Sequence, residues 1–155
     1  MEAICLDCGA RRPQLKRNPL GGIQMPILEW SDTQPRVELS TGEEFEDAVN
    51  RLAARCSADR PTIVALYAHG HQVMLGLGLP QSFVQIQRWD NQASGPALVT
   101  VGDSEADGGV AFYLFGSQHT EIPRRNLIPG PMALRLARQF FESGQVKQDV
   151  DWEPA

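Results

Sequence analysis

Three groups of side chains have residue types that carry chemistry in proteins. Cys5 and Cys8 have the two-residue spacing of a zinc knuckle, and His69 and His71 place two imidazoles on either side of one glycine. The stretch 103–108 carries carboxylates at alternate positions and a glycine at its sixth position, as at the start of a calcium-binding loop. Each group lacks part of a complete site.

The cysteine pair lacks the remaining ligands of a structural zinc site. Such a site needs four ligands, and only Cys56 and a distant histidine could complete it. Three cysteines cannot all pair within one chain, which is typical of a reducing compartment. We therefore expect free thiols, no metal site and a cytoplasmic protein.

The histidine pair is the basis of one alternative function. His69 and His71, with nearby carboxylates, could form the centre of a small metal-dependent enzyme. The loop at 103–108 is no EF-hand, because Leu114 stands where a bidentate glutamate is required. The sequence also contains no nucleophile elbow, Walker loop or dinucleotide-binding glycine motif. The prediction is therefore no catalytic residue, no cofactor and no enzyme.

Net charge points to the class of partner. The 155 residues include 14 Lys and Arg against 19 Asp and Glu, a formal charge of -5, which is the wrong sign for direct binding of nucleic acid or anionic membranes. No stretch is apolar enough to span a membrane, and no export signal is visible. Residues 1–24 carry +2 and are predicted to be a weakly ordered basic lead, whereas residues 25–155 carry -7 and are predicted to be a single domain. A charged protein partner would thus be basic.

Hydrophobic spacing predicts two helices around a set of strands. One helix begins at Ser40 or Thr41 with a capping box and ends before Ser57, and the second begins at Pro131 and ends at Gly144. The sequence between them favours antiparallel strands, and a short strand follows at 148–152. The order predicts an α+β fold, an antiparallel meander of about five or six strands with an N-terminal and a C-terminal helix packed on it.

Two hairpins and one alternating strand have more specific expectations. A glycine-first turn is predicted at Gly70-His71, and a second turn at Gly116-Ser117 would place Glu121 opposite Phe112 and His119 opposite Leu114. In the strand 82–89, Gln85 and Gln87 alternate with apolar residues and are expected to face water.

The C-terminal third resembles a known family in a series of short motifs. They are Val110-Ala-Phe-Tyr-Leu-Phe115, Thr120-Glu-Ile-Pro123, Asn126-Leu-Ile-Pro129, Phe140-Phe-Glu-Ser-Gly144 and Val150-Asp-Trp152. This pattern resembles the first-described immunity-protein family of bacterial polymorphic toxin systems, over residues 62–153 and best from 109 onward. The resemblance implies a small cytoplasmic protein that binds and neutralises a deaminase-type toxin encoded beside it. The chain departs from the family at Gln145-Val146, where members carry Arg-Pro.

Candidate toxin-binding residues follow from charge and aromatic character. A toxin that acts on nucleic acid needs a basic surface, and an acidic inhibitor can occupy that surface and exclude the substrate. Stable interfaces also need aromatic anchors. We therefore expect contacts from Trp89 and Asp90 at the end of a strand, and from Asp103, Glu105 and Asp107 in the acidic loop. A generic regulatory or scaffold module with an uncharged partner is the other alternative.

Overall fold

The structure, a computed structural model, describes residues 26–31, 35–89, 95–114 and 118–155. These ranges contain two α-helices, α1 (Gly42–Ala53) and α2 (Gly130–Ser143), and a 3-10 helix (Arg124–Asn126). They also contain eleven strands: β1 (Ile27–Glu29), β2 (Val37–Glu38), β3 (Thr62–Ala68), β4 (His71–Leu77), β5 (Gln81–Ser82), β6 (Val84–Arg88), β7 (Leu98–Val101), β8 (Gly109–Leu114), β9 (Gln118–Pro123), β10 (Ile128–Pro129) and β11 (Asp151–Pro154). The predicted basic lead, residues 1–24, lies outside the described residues, as does Asp90.

Local sequence explains why α1 forms where it does. Thr41 is the N-cap, and its hydroxyl oxygen accepts the backbone N–H of Glu44 at 3.1 Å. The Glu44 carboxylate in turn accepts the backbone N–H of Ser40 at 2.8 Å, one residue before the N-cap Thr41 whose N–H the capping box would use. Phe45 and Val49 lie on the buried face of the helix, in the same apolar cluster as Leu66 and Val73 of the sheet.

The second helix has a proline start and a glycine stop. Pro131 lies in the first turn, where its missing N–H costs no hydrogen bond. Gly144 ends α2 with a left-handed φ of 70°, and its N–H donates to the carbonyl of Phe140 at 2.7 Å. The rings of Phe45 and Phe141 stack at 5.6 Å, which joins α1 to α2.

Nine strands form one sheet in the order β11-β7-β6-β4-β3-β1-β2, with the β8–β9 hairpin attached to β3. Neighbours on the main path are antiparallel, whereas β8 joins β3 through a short parallel pairing of Thr62 with Tyr113 and Ile63 with Leu114. The same edge of β3 pairs with β1 along 65–67. Strands β5 and β10 form a separate pair.

The sheet has apolar clusters on both faces. Val64, Leu66 and Val73 face both helices in the larger cluster. Their sequence neighbours Ile63 and Met74 point to the other face, because side chains alternate along a strand. There they join Phe83, Phe112 and Ile122, and the rings of Phe83 and Phe112 meet edge to face at 5.4 Å. The helices and the β8–β9 hairpin therefore sit on opposite sides of the sheet.

The α+β class is confirmed, but the strand count and the placement of the helices differ from the prediction. Within the described ranges the large sheet has nine strands rather than five or six, and it includes the parallel pairing of β3 with β8. Neither helix is terminal, because β1 and β2 precede α1 and β11 follows α2. Strands of two or three residues carry too little alternation to be seen in sequence.

The first predicted hairpin turn is wrong by one residue, and so is the register predicted for the second hairpin, whose turn residues Gly116 and Ser117 lie outside the described residues. The β3–β4 turn is His69-Gly70, with φ of 53° and 73°, which is the geometry of the tight turn that fits strand twist. In the β8–β9 hairpin, Glu121 pairs with Ala111, and His119 pairs with Tyr113. Three residues, 115–117, separate the last pair, rather than the two that the sequence suggested.

Candidate functional site

The acidic loop between β7 and β8 is fastened at both ends to the 3-10 helix. At its start, the N–H of Gly102 donates to the carbonyl of Arg125 at 2.8 Å. At its end, the carbonyl of Gly108 accepts the N–H of Arg124 at 2.9 Å. The loop is thus held in place by backbone hydrogen bonds rather than by its side chains.

Inside the loop, Asp103 organises the backbone. Its carboxylate accepts the N–H of Glu105 at 3.1 Å, and its carbonyl accepts the N–H of Ala106 at 3.0 Å. Asp103, Glu105 and Asp107 are all exposed. No ion pair within the described part of the chain involves any of the three carboxylates. Their charge therefore faces solvent.

Two further carboxylates, on β11 and just before it, join this group through the pairing of β11 with β7. Asp151 pairs with Val101 in the register of β11 on β7, two residues before Asp103, and Asp149 precedes it by two residues. Both side chains are exposed. Nothing local in the sequence connects them to the loop, because the pairing of β7 with β11 spans about fifty residues. The five residues Asp103, Glu105, Asp107, Asp149 and Asp151 are called the acidic end below.

Basic residues near the acidic end reduce its charge without cancelling it. Arg124 and Lys147 are exposed on neighbouring segments. Arg125 is engaged elsewhere, since its guanidinium donates to the Glu153 carboxylate at 2.5 Å. Among the described residues, these two exposed cations are outnumbered by the five carboxylates, so this part of the surface keeps a negative charge.

A buried polar cluster holds β11 and the 3-10 helix on β7. The amide of Asn126 donates to the carbonyl of Thr100 at 3.0 Å and to the Glu153 carboxylate at 2.7 Å. The hydroxyl of Thr100 donates to the carbonyl of Asn126 at 3.0 Å and accepts the N–H of Val84 at 3.2 Å. Thr100 and Asn126 are almost fully buried, so these bonds lie in a low dielectric where each is worth more than at the surface.

Trp89 lies at the other end of the sheet. Its backbone N–H donates to the carbonyl of Gly70 at 2.9 Å. Its half-buried ring meets the ring of Tyr67 edge to face at 4.9 Å. In the register of β6 on β7, Gln85 pairs with Val99, so Val101 lies level with Phe83. Phe83 is six residues before Trp89 in the chain. At about 3.3 Å per residue, roughly 20 Å separate Trp89 from the start of the acidic loop. The structure does not bring the two predicted groups together.

The polar face of β6 is buried, contrary to the expectation that it faces water. Gln85 is 2% exposed and Gln87 is half-buried. Gln87 donates to the amide oxygen of Gln72 at 2.7 Å, and Gln72 donates to the hydroxyl of Tyr67 at 2.9 Å. Burial raises the pKa of Tyr67 above its ordinary value of 10.0. Neighbouring strands supply these hydrogen-bond partners, and strand pairing cannot be predicted from alternation alone.

Comparison with known proteins decides the family. The sequence model of the family described as Immunity protein Imm1 matches residues 34–154, most of the chain and nearly all of the described residues. The chain belongs to the Imm1 immunity-protein family. A search of curated proteins finds no match. Membership gives this immunity protein a non-enzymatic role, the neutralisation of a cognate toxin.

His69 and His71 of this Imm1 member act in packing. His69 donates from Nε2 to the carbonyl of Phe141 at 2.7 Å, near the end of α2, and His71 donates from Nδ1 to the carbonyl of His69 at 2.9 Å. Both rings meet Phe140 edge to face, at 5.8 and 5.5 Å. These contacts dock the β3–β4 turn on α2.

Two other features bear on the earlier alternatives. Across the described ranges, no three His, Cys, Asp or Glu residues lie close enough to hold a metal ion. The predicted pair Cys5 and Cys8 falls outside those ranges. None of the described helices of this immunity protein is long and apolar enough to cross a membrane.

Proposed function

We propose that this immunity protein neutralises its toxin by covering a basic surface of that toxin with the acidic end. The observation that supports the proposal most directly is the grouping of five exposed carboxylates, three on a loop that backbone hydrogen bonds hold in place and two on β11 or just before it. Proteins that act on nucleic acid present basic surfaces to the phosphate backbone. An acidic inhibitor gains association rate from steering and then blocks the substrate by occupying the same surface.

The toxin is proposed to be a nucleic-acid deaminase. Support comes from the short motifs between 110 and 152, which resemble immunity proteins encoded beside deaminase-type toxins. A deaminase must take its target base into a pocket, so a protein that lies across the pocket entrance stops the reaction without any chemistry of its own. Occlusion is consistent with the non-enzymatic role of the family.

Within this proposal, Asp103, Glu105 and Asp107 make the principal contacts, and Trp89 with Asp90 makes a second contact. An interface of standard size buries about 800 Å² on each partner, a patch about 28 Å across. That width exceeds the roughly 20 Å between Trp89 and the loop. One toxin domain can therefore touch both groups.

Charge reversal tests the proposal. The triple variant Asp103→Lys, Glu105→Lys, Asp107→Lys is expected to slow association with the toxin domain encoded beside this chain by at least tenfold at low salt, and to lose rescue on co-expression. The matched control, Glu38→Lys, Asp47→Lys, Asp59→Lys, makes the same change in net charge at exposed positions away from the acidic end. Circular dichroism checks that both variants fold.

The outcomes separate the parts of the proposal. Equal association rates for the two triple variants would overturn the acidic end as the contact surface. A toxin domain that leaves cytosine and adenine bases unchanged in single-stranded and double-stranded nucleic acid would overturn the deaminase assignment alone. Trp89→Ala tests the second contact and is expected to raise the dissociation rate.

A further inference from the structure

The outer edge of β9 carries backbone groups that no described strand uses. Within the described residues, β9 pairs only with β8. The N–H of Tyr113 donates to the carbonyl of Pro61 at 2.7 Å, so Tyr113 points its backbone away from β9. The N–H and C=O groups of successive residues point to opposite edges of a strand. Phe112, next to Tyr113, therefore points its groups toward β9, and its pair with Thr120 carries hydrogen bonds of the hairpin, as does every second pair along it.

This alternation also determines which backbone N–H and C=O groups of β9 face outward. The bond from the N–H of Arg124 to the carbonyl of Gly108 continues the same alternation at the end of the hairpin. Thr120 therefore points its N–H and C=O toward β8, whereas His119 and Glu121 point theirs to the free edge. Both residues are exposed. The edge offers two donors and two acceptors at the spacing of a strand partner.

We propose that β9 pairs antiparallel with β9 of a second copy of this chain, about a two-fold axis at Thr120. In that register, the backbone of His119 in one copy forms two hydrogen bonds with the backbone of Glu121 in the other. The two-fold symmetry gives a second, identical pair, so four hydrogen bonds join the two strands. All outward groups of His119 and Glu121 are then used. The two copies form one continuous sheet.

Side chains favour this register over its neighbours. The imidazole of His119 lies opposite the carboxylate of Glu121 of the second copy, a favourable cross-strand pair, and Thr120 meets Thr120. Moving the axis to Glu121 places carboxylate against carboxylate, and moving it to His119 places imidazole against imidazole. The sequence of the edge is thus complementary to itself in one register.

The other described edges fit a partner strand less well. On β11, the N–H of Ala155 donates to the carbonyl of Ala97 at 3.0 Å, which turns Trp152 and Pro154 outward. Pro154 has no N–H to donate, which weakens that edge as a template. Strand β2 has only two residues. The six residues of β9 make it the edge best suited to pairing.

The dimer is expected to depend on concentration. Two paired strands of this length bury less than the roughly 1,200 Å² typical of stable complexes. Sedimentation equilibrium of the full chain from about 10 μM to about 1 mM is expected to show the mean mass rising from 17.1 kDa toward twice that value. His119→Lys places lysine opposite Glu121 and is expected to tighten the dimer at least threefold.

The double variant His119→Lys, Glu121→Lys places lysine opposite lysine on both sides of the axis and is expected to remove the dimer. Asp47→Lys, Asn50→Lys is the matched control, because it makes the same change in net charge at exposed positions of α1 and leaves the edge unchanged. A constant mass of 17.1 kDa over the whole concentration range would overturn the proposal.

A single cysteine tests the register. In a background with Cys5, Cys8 and Cys56 changed to Ser, Thr120→Cys is expected to form a disulfide-linked dimer on mild oxidation, because facing Cα atoms in such a pair lie about 4.5 Å apart. Gln118→Cys is the control, since its copies would lie about 14 Å apart. Equal cross-linking of the two variants would refute the register. Pairing of β9 is independent of the toxin and its contacts, so either proposal can fail alone.

Discussion

Thr100 and Asn126 exchange two hydrogen bonds of 3.0 Å, each side chain donating to the backbone carbonyl of the other residue. This exchange joins β7 to the 3-10 helix that fastens the acidic loop. Asn126 also donates to Glu153, so the same amide holds β11. The two residues therefore fix the positions of β7, the 3-10 helix and β11, the three segments next to the acidic end.

Asn126→Ala is expected to lower the free energy of unfolding by about 2–3 kcal/mol, because it removes two hydrogen bonds and leaves the Thr100 carbonyl buried without its donor. Urea unfolding followed by circular dichroism measures the loss. Gln148→Ala, at an exposed position, is the control and is expected to change stability by less than about 0.5 kcal/mol. A similar loss in both variants would contradict the role of the exchange.

Close packing of Phe112 on Gly76 predicts a steric penalty. A Cβ atom on Gly76 would lie 2.6 Å from the Phe112 ring, which is fully buried. Gly76→Ala is expected to destabilise the protein by about 1–3 kcal/mol. The penalty is expected to shrink in a Phe112→Leu background, as a double-mutant cycle by urea unfolding would show. Additive losses would mean that the two residues do not compete for space.

The C-cap of α2 predicts a second glycine effect with two separable causes. Gly144 has a φ of 70°, and a Cβ there would lie 3.1 Å from the imidazole of His69. Gly144→Ala is expected to cost about 1–2 kcal/mol for the left-handed conformation, plus a contribution from the contact. In a His69→Ala background, only the conformational cost is expected to remain. Thermal unfolding of the four proteins distinguishes the two causes.

Tyr67 predicts a loss of stability at alkaline pH. Burial raises its pKa in the folded state above the ordinary value of 10.0, so the folded protein keeps the proton after the unfolded chain has released it. The contribution of Tyr67 to the free energy of unfolding is therefore fully present below about pH 10. It falls as the pH rises further, by up to about 1.4 kcal/mol per pH unit. The stability advantage of the parent over Tyr67→Phe is expected to shrink between about pH 9 and pH 11.

A direct titration checks the same point. The chain has two tyrosines, so in a Tyr113→Phe variant only Tyr67 contributes tyrosinate absorbance. That absorbance is expected to appear together with unfolding rather than before it. Ionisation near pH 10 with the fold intact would contradict the effect of burial.

Sequence patterns located the helices because their information is local. The capping residues Thr41 and Glu44 and the C-cap Gly144 lie within one turn of the helix ends they define. The parallel pairing of Ile63 with Leu114 joins residues about fifty positions apart, and no local pattern specifies it. The same reason explains the hairpin errors, since one extra residue between Leu114 and Gln118 moves every cross-strand partner.

The acidic end shows the same division. The carboxylates of Asp103, Glu105 and Asp107 are visible as a motif, but their neighbours Asp149 and Asp151 become part of the surface only through the pairing of β11 with β7. Residue type alone suggests that Trp89 belongs with the acidic loop, but the length of β6 separates the two. Composition can nominate a surface, whereas strand order decides its members.

Strand β3 serves three pairings at once, with β4 along one edge and with β1 and β8 sharing the other. A slip of one residue in β3 would turn Ile63 and Val64 to the wrong faces and break the match with all three neighbours together. Each shifted alignment of β3 therefore introduces mismatches with three neighbouring strands rather than with one. The register of β3 thus determines the register of the strands on both of its edges.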